Sequence, residues 1–81
     1  MTVVTLYGKP GCCLCDDAKA ALEEVRAERP FDLREVDVTL DPALHREYGE
    51  RIPVVEVPGA EPLELRVEVP ELRLLLDTVG A

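Results

Sequence analysis

The 81-residue chain has no asparagine, glutamine or serine, and only two lysines against seven arginines. Missing amides and abundant charged residues are traits of proteins selected for heat resistance. Codon bias in a GC-rich genome gives the same profile, and the two readings stand level. Basic residues are scarce as well: nine Lys and Arg face seventeen Asp and Glu, a formal net charge of −8. Nucleic-acid binding needs clustered Lys and Arg to meet phosphates, so that class is excluded. The acidity favours solubility and a monomer. No apolar run approaches the roughly 18 residues of a membrane span, and Met1-Thr2 leads straight into strand-like sequence with no signal-peptide pattern. A cytoplasmic protein with no membrane association is expected.

Cysteine is present in one place only. Cys12, Cys13 and Cys15 fall within four positions, so they cannot be a framework of bridges spread over a small secreted domain. They are a local chemical device. A Cys-x-x-Cys pair beside a strand-helix-strand pattern reads as a redox motif rather than a zinc site. The composition around it, 47% hydrophobic and 32% charged, is that of one globular domain, residues 1–81. A domain of this length buries only roughly 60–65% of its unfolded surface, so its core must be regular.

Thr2 to Tyr7 is apolar and β-branched, which suits a strand buried on both faces. Gly8-Lys9-Pro10-Gly11 breaks it. From Cys13 to about Glu28 the positions Leu14, Ala18, Ala21, Leu22 and Val25 follow a helical period, and Arg29-Pro30 ends the helix. Phe31 to Val38 reads as a second strand, which a right-handed crossover makes parallel to the first. Asp41-Pro42 supplies an N-cap and a first-turn proline for a short helix to Tyr48, with Leu44 and Tyr48 as its inward contacts and Gly49 as its stop. Arg51 to Val57 is a third strand, and Leu63 to Val67 alternates as its hairpin partner across Pro58-Gly59-Ala60-Glu61-Pro62. Pro70 opens a last helix with Leu72, Leu75, Leu76 and Val79 on one stripe and Gly80 near its end. The order βαβαββα predicts an α/β fold, a four-stranded mixed sheet with flanking helices.

With Cys-x-x-Cys at the first strand-helix junction, Ile52-Pro53-Val54 opening the third strand, a hairpin and a closing helix, the chain resembles the glutaredoxin-like branch of the thioredoxin superfamily. The resemblance covers essentially the whole sequence. It implies a thiol-disulfide oxidoreductase acting on protein disulfides or glutathione-mixed disulfides, with no bound cofactor and glutathione as reductant or co-substrate.

The residues point to the same chemistry. A thiolate is the nucleophile, and the start of a helix, with its free amides and positive dipole end, favours an anion. Cys12 sits at that cap. Lys9 adds positive charge, and Asp16 and Asp17 oppose it. Cys15 lies one turn further on, on the side of Ala18 and Leu22, so Cys12 is read as the attacking thiol and Cys15 as the shielded resolving thiol. Cys13 faces outward with Asp17, Ala20 and Glu24, and it stands where glutaredoxins usually carry proline. It is read either as a surface residue or as a second thiol.

The resemblance further implies a cis Ile52-Pro53 bond beside the cysteines and a substrate groove using Lys9, Ile52 and Pro53. The Gly-Gly-x-x-Asp-like turn that glutaredoxins place before the last helix is missing, since the chain reads Leu65-Arg66-Val67-Glu68-Val69-Pro70-Glu71. Arg66 or Arg51 could supply charge in its stead, or each could be a solvated arginine. His45 is read as a surface residue, and Tyr7 and Tyr48 as packing residues. Two other classes compete: a thiolate metal or iron–sulfur carrier using the three cysteines, and a redox-inactive docking or sensing module on the same fold.

Overall fold

In the computed structural model, which describes residues 2–78, eight elements follow the expected order. They are β1 (Val3–Gly8), α1 (Cys13–Glu28), β2 (Asp32–Asp37), a 3-10 turn (Val38–Leu40), α2 (Pro42–Tyr48), β3 (Val54–Glu56), β4 (Leu63–Glu64) and α3 (Val69–Thr78). Val79 and Gly80, expected on the last helix, lie outside the described residues. The sheet order is β2-β1-β3-β4. β1 runs parallel to β2, with Val4 opposite Leu33, and antiparallel to β3, with Leu6 opposite Val55; β3 and β4 are antiparallel. This is a thioredoxin-like mixed α/β fold.

The main core lies between the sheet and the pair α1 and α3. Val4 and Leu6 of β1 and Val55 of β3 meet Ala18, Leu22 and Val25 of α1 and Leu72 and Leu76 of α3. Apolar residues at helical spacing on α1 thus become one buried face, except Leu14, expected there from its spacing but exposed in the first turn, where Cys15 takes the inward position. Burial of a side chain such as Leu22 contributes about 2–3 kcal/mol. Arg26 Nε donates to the Phe31 carbonyl at 3.0 Å and fixes the turn from α1 into β2. At the same end of α1, Arg73 forks onto Glu28 at 2.9 and 2.7 Å, and Arg29 pairs with Asp77. Arg73 and Asp77, on the polar side of α3, therefore fasten the two helices together.

Four details depart from the sequence expectations. β1 alternates, with Val4 and Leu6 buried and Val3, Thr5 and Tyr7 only partly covered, because the short α2 screens the second face less than α1 and α3 screen the first. Val38 leaves β2 for a 3-10 turn capped by Asp37, whose carboxylate accepts from the Thr39 amide at 2.9 Å. β3 begins only at Val54, since Pro53 has no amide to give a ladder. β4 stops at Glu64. The next residue, Leu65, adopts φ +65° and the Arg66 amide turns back to the Glu64 carbonyl at 2.8 Å. Val67 then returns to the core.

Among the described residues no helix is long and apolar enough to cross a membrane. α2 starts as the sequence predicts: Asp41 Oδ1 accepts from the Ala43 amide at 2.9 Å and from the Leu44 amide at 3.5 Å, with Pro42 in the first turn. Leu44 and Tyr48 are its half-buried residues, and none of α2 is fully buried.

Candidate active site

The turn out of β1 delivers the cysteines. Gly11 adopts φ +78°, a conformation that disfavours side chains, and the chain then enters α1 with Cys12 as its N-cap in extended conformation. A cap side chain normally accepts from an amide two or three residues on. Here the acceptor is sulfur: the Cys15 amide donates to Cys12 Sγ at 3.2 Å. The Cys12 sulfur thus stands in the place of a cap oxygen, at the positive end of the helix dipole.

The three thiols are free and unequal: Cys12 is half-buried, Cys13 exposed and Cys15 buried. Cys15, 7% exposed, forms a second small core with Val38 and Ile52, against which Tyr7, Cys12, Leu44 and Tyr48 pack. Burial first, then the neighbouring Cys12 sulfur, pushes the Cys15 thiol up to about 11, against an opposing pull from the Lys9 backbone. At neutral pH Cys15 is a thiol. Among the described residues no group of three or more His, Cys, Asp or Glu is placed to hold a metal ion.

The wall facing the pair is Ile52-Pro53. Its peptide bond is cis, as the resemblance implies. The carbonyls on either side of Ile52, those of Arg51 and Pro53, both accept from the Leu65 amide, at 3.2 and 2.9 Å. Among the described residues the Ile52 amide and carbonyl take no part in a backbone hydrogen bond of this loop.

Two clefts flank the cysteine turn. One, of about 320 Å³, lies between β1, α1 and β2 and is lined in part by Gly8, Lys9, Cys15, Asp16 and Asp37. Lys9 therefore stands on the Cys15 side of the turn. The other, also of about 320 Å³, lies between the first turns of α1 and the segment before α3, with Leu14, Asp17, Arg66, Val67 and Glu68 on its walls. Leu14 is 41% exposed there.

The two arginines separate. Arg51 is engaged: Nη1 meets Glu64 Oε2 at 2.8 Å, Nη2 meets the Glu47 carbonyl at 2.7 Å and its carboxylate at 3.0 Å, and the guanidinium lies 5.2 Å from the Tyr48 ring centre. It braces the Ile52-Pro53 loop and does not line the second cleft. Arg66 does line it. Tyr7 and Tyr48 stack at 4.4 Å with 21° between planes, and the Glu56 carboxylate beside Tyr7, aided by burial, holds its phenol up to about 12. They pack beside the cysteines as expected. His45 is exposed on α2.

Two contributors escape sequence reasoning. Gly8 marks itself only as a strand breaker, yet a Cβ built on it would stand 3.0 Å from Cys15 Sγ. Leu65 looks like an ordinary strand residue, yet its amide ties β4 to the proline loop. No local pattern signals either role.

The family model described as Glutaredoxin-like domain (DUF836) matches residues 3–77. An uncharacterized protein of Mycobacterium tuberculosis is 35% identical over 75 residues, covering 86% of this chain and 77% of that protein. The crystal structure of the X. campestris protein XcR50 superposes with a TM-score of 0.81 at 36% identity, over 93% of this chain and 96% of that one. Desulfothioredoxin from Desulfovibrio vulgaris Hildenborough shares the fold, with a TM-score of 0.72 at 24% identity over 95% and 80% of the two chains. Family and fold support a thiol redox function.

Proposed function

We propose, from the premise that the chain belongs to the Glutaredoxin-like domain (DUF836) family, that it is a dithiol oxidoreductase reducing protein disulfides or glutathione-mixed disulfides. The observation that carries this reading is the inequality of the pair: a half-buried Cys12 whose sulfur receives the Cys15 amide, and a buried Cys15 one turn beyond it. Cys12 thiolate attacks one sulfur of a substrate disulfide, forming a mixed disulfide and releasing the other sulfur as a thiolate that takes up a proton. Cys15 then loses its proton to solvent and attacks Cys12 Sγ. The second substrate thiol leaves, the Cys12–Cys15 disulfide closes, and two electrons have passed to substrate. Two molecules of a small thiol such as glutathione return the pair to the dithiol.

An incoming extended segment pairs with the Ile52 backbone, whose amide and carbonyl the loop leaves unused. Pro53 fixes that edge, and Lys9 places positive charge on the opposite side of the turn. Arg66, which lines the cleft by Leu14, supplies the charge for a glutathione carboxylate in a chain that lacks the glycine pair. The setting is cytoplasmic, the protein acts as a monomeric domain, and no bound cofactor takes part.

The test is a titration in glutathione buffers with mass spectrometry of acid-trapped species. Reversible Cys12–Cys15 closure, with a glutathione adduct on Cys12 at intermediate ratios, is the expected result. A pair that stays open at every accessible ratio rejects the enzyme reading in favour of a docking module.

A further inference from the structure

Gly8 closes β1 opposite Asp37 of β2. Its backbone lies outside the left-handed region that Gly11 and Gly59 occupy, so no dihedral requirement explains a glycine there. The requirement is spatial. A Cβ at Gly8 would stand 3.0 Å from Cys15 Sγ and 3.3 Å from Cys15 Cβ, inside the roughly 3.5–4.0 Å of comfortable contact. Val38 and Ile52 back Cys15 on its core side and the side chain is rooted in the first turn of α1, so it can withdraw only toward the cleft it shares with Gly8.

The two redox states make different demands on this space. Two free thiols must stand at non-bonded distance, whereas two bonded sulfurs draw together and need less room. Both thiols are free, and the space a Gly8 side chain would fill lies beside the Cys15 sulfur, which also has Cys12 as a neighbour. Crowding from β1 therefore penalises the dithiol more than the disulfide.

We propose that Gly8 is a positioning residue that keeps open the seat of the reduced Cys15 thiol and so sets the balance between the dithiol and the Cys12–Cys15 disulfide. The inference rests on the oxidoreductase reading. The step concerned is the reduction of one glutathione disulfide to two glutathione thiols by the Cys12 and Cys15 thiols, which give up two electrons and two protons and become joined.

The experiment compares Gly8→Ala with the parent chain in one series of glutathione buffers, reading closed and open forms by alkylation and mass. The expected result is a ratio of closed to open protein at least about tenfold higher in Gly8→Ala at the same buffer ratio. An unchanged ratio in a folded Gly8→Ala, with the parent cycling normally, overturns the inference and leaves the oxidoreductase reading standing. A parent chain that never closes overturns that reading itself, and this inference with it. Where Gly8→Ala does not fold, the double variant Gly8→Ala/Cys15→Ala decides: the contact with the Cys15 sulfur is gone and only that with its Cβ remains, so it should fold, with a denaturant midpoint close to that of Cys15→Ala alone. A double variant that also fails to fold overturns the inference.

Discussion

The amide of Cys15 donates to the sulfur of Cys12 at 3.2 Å, so the buried thiol's own backbone holds its partner's sulfur in place. Replacing the two residues should therefore have different effects. Cys12→Ala abolishes turnover. Cys15→Ala keeps the amide donor and stalls after the first attack, accumulating the mixed disulfide on Cys12. Cys13→Ala, at an exposed position, retains most activity. Steady-state assays and mass spectrometry of trapped species check all three, and equal losses from Cys12→Ala and Cys13→Ala would overturn the assignment.

The burial of Cys15 sets a pH dependence. Its thiol titrates near 11 instead of 9 in the folded reduced protein. Between those values the unfolded chain has lost the proton and the native state keeps it. Stability is therefore complete below about pH 9 and declines as pH rises toward 11, where the native thiol ionises too. Denaturant unfolding of the reduced protein from pH 8 to pH 11 should show this decline, and Cys15→Ala should show less of it. Alkylation should modify Cys13 readily at pH 8 and Cys15 only as pH approaches 11.

Leu65 bears a backbone conformation suited to glycine. It is 51% exposed with φ +65°, a strain of order 1–3 kcal/mol for a side-chain-bearing residue. Leu65→Gly should hold or raise stability by up to about 1 kcal/mol, while the β-branched Leu65→Val lowers it. Chemical denaturation measures both. A Leu65→Val variant as stable as Leu65→Gly would show that the bend relaxes without cost.

Arg66 and Arg51 should separate by the type of defect. Arg66 lines the cleft beside Leu14, so Arg66→Ala is expected to raise KM for a glutathionylated substrate about three- to fivefold, with kcat little changed. Arg51 holds Glu47 and Glu64, and Arg51→Ala should instead loosen the proline loop, lowering thermal stability and changing kcat together with KM. Equal KM effects from the two variants would remove Arg66 from the groove.

Where the sequence was informative, each signal was local and agreed with the topology. The apolar period of Ala18, Ala21, Leu22 and Val25 defines the buried face of α1, Asp41-Pro42 starts α2, and Cys-x-x-Cys with Ile52-Pro53 marks both walls of the site. What escaped is set by contacts between distant residues. Leu63 to Val67 alternates well enough for a five-residue strand, but its partner β3 loses its ladder at Pro53, and Leu65 bends the chain there. Gly8 meets Cys15 seven positions away only after the turn has folded α1 back over β1. The unequal use of Arg51 and Arg66 likewise depends on which carboxylates the fold brings near.

The stack of Tyr7 on Tyr48 has one more consequence. The sequence has no tryptophan and no tyrosine besides these two, and both rings pack on the small core that contains Cys12 and Cys15. All useful ultraviolet emission of the molecule therefore arises beside the sulfur pair, and nearby sulfur quenches it to a degree that depends on distance and bonding. Tyrosine emission is therefore expected to change if the pair closes, and following it through the glutathione titration needs no label or engineered probe.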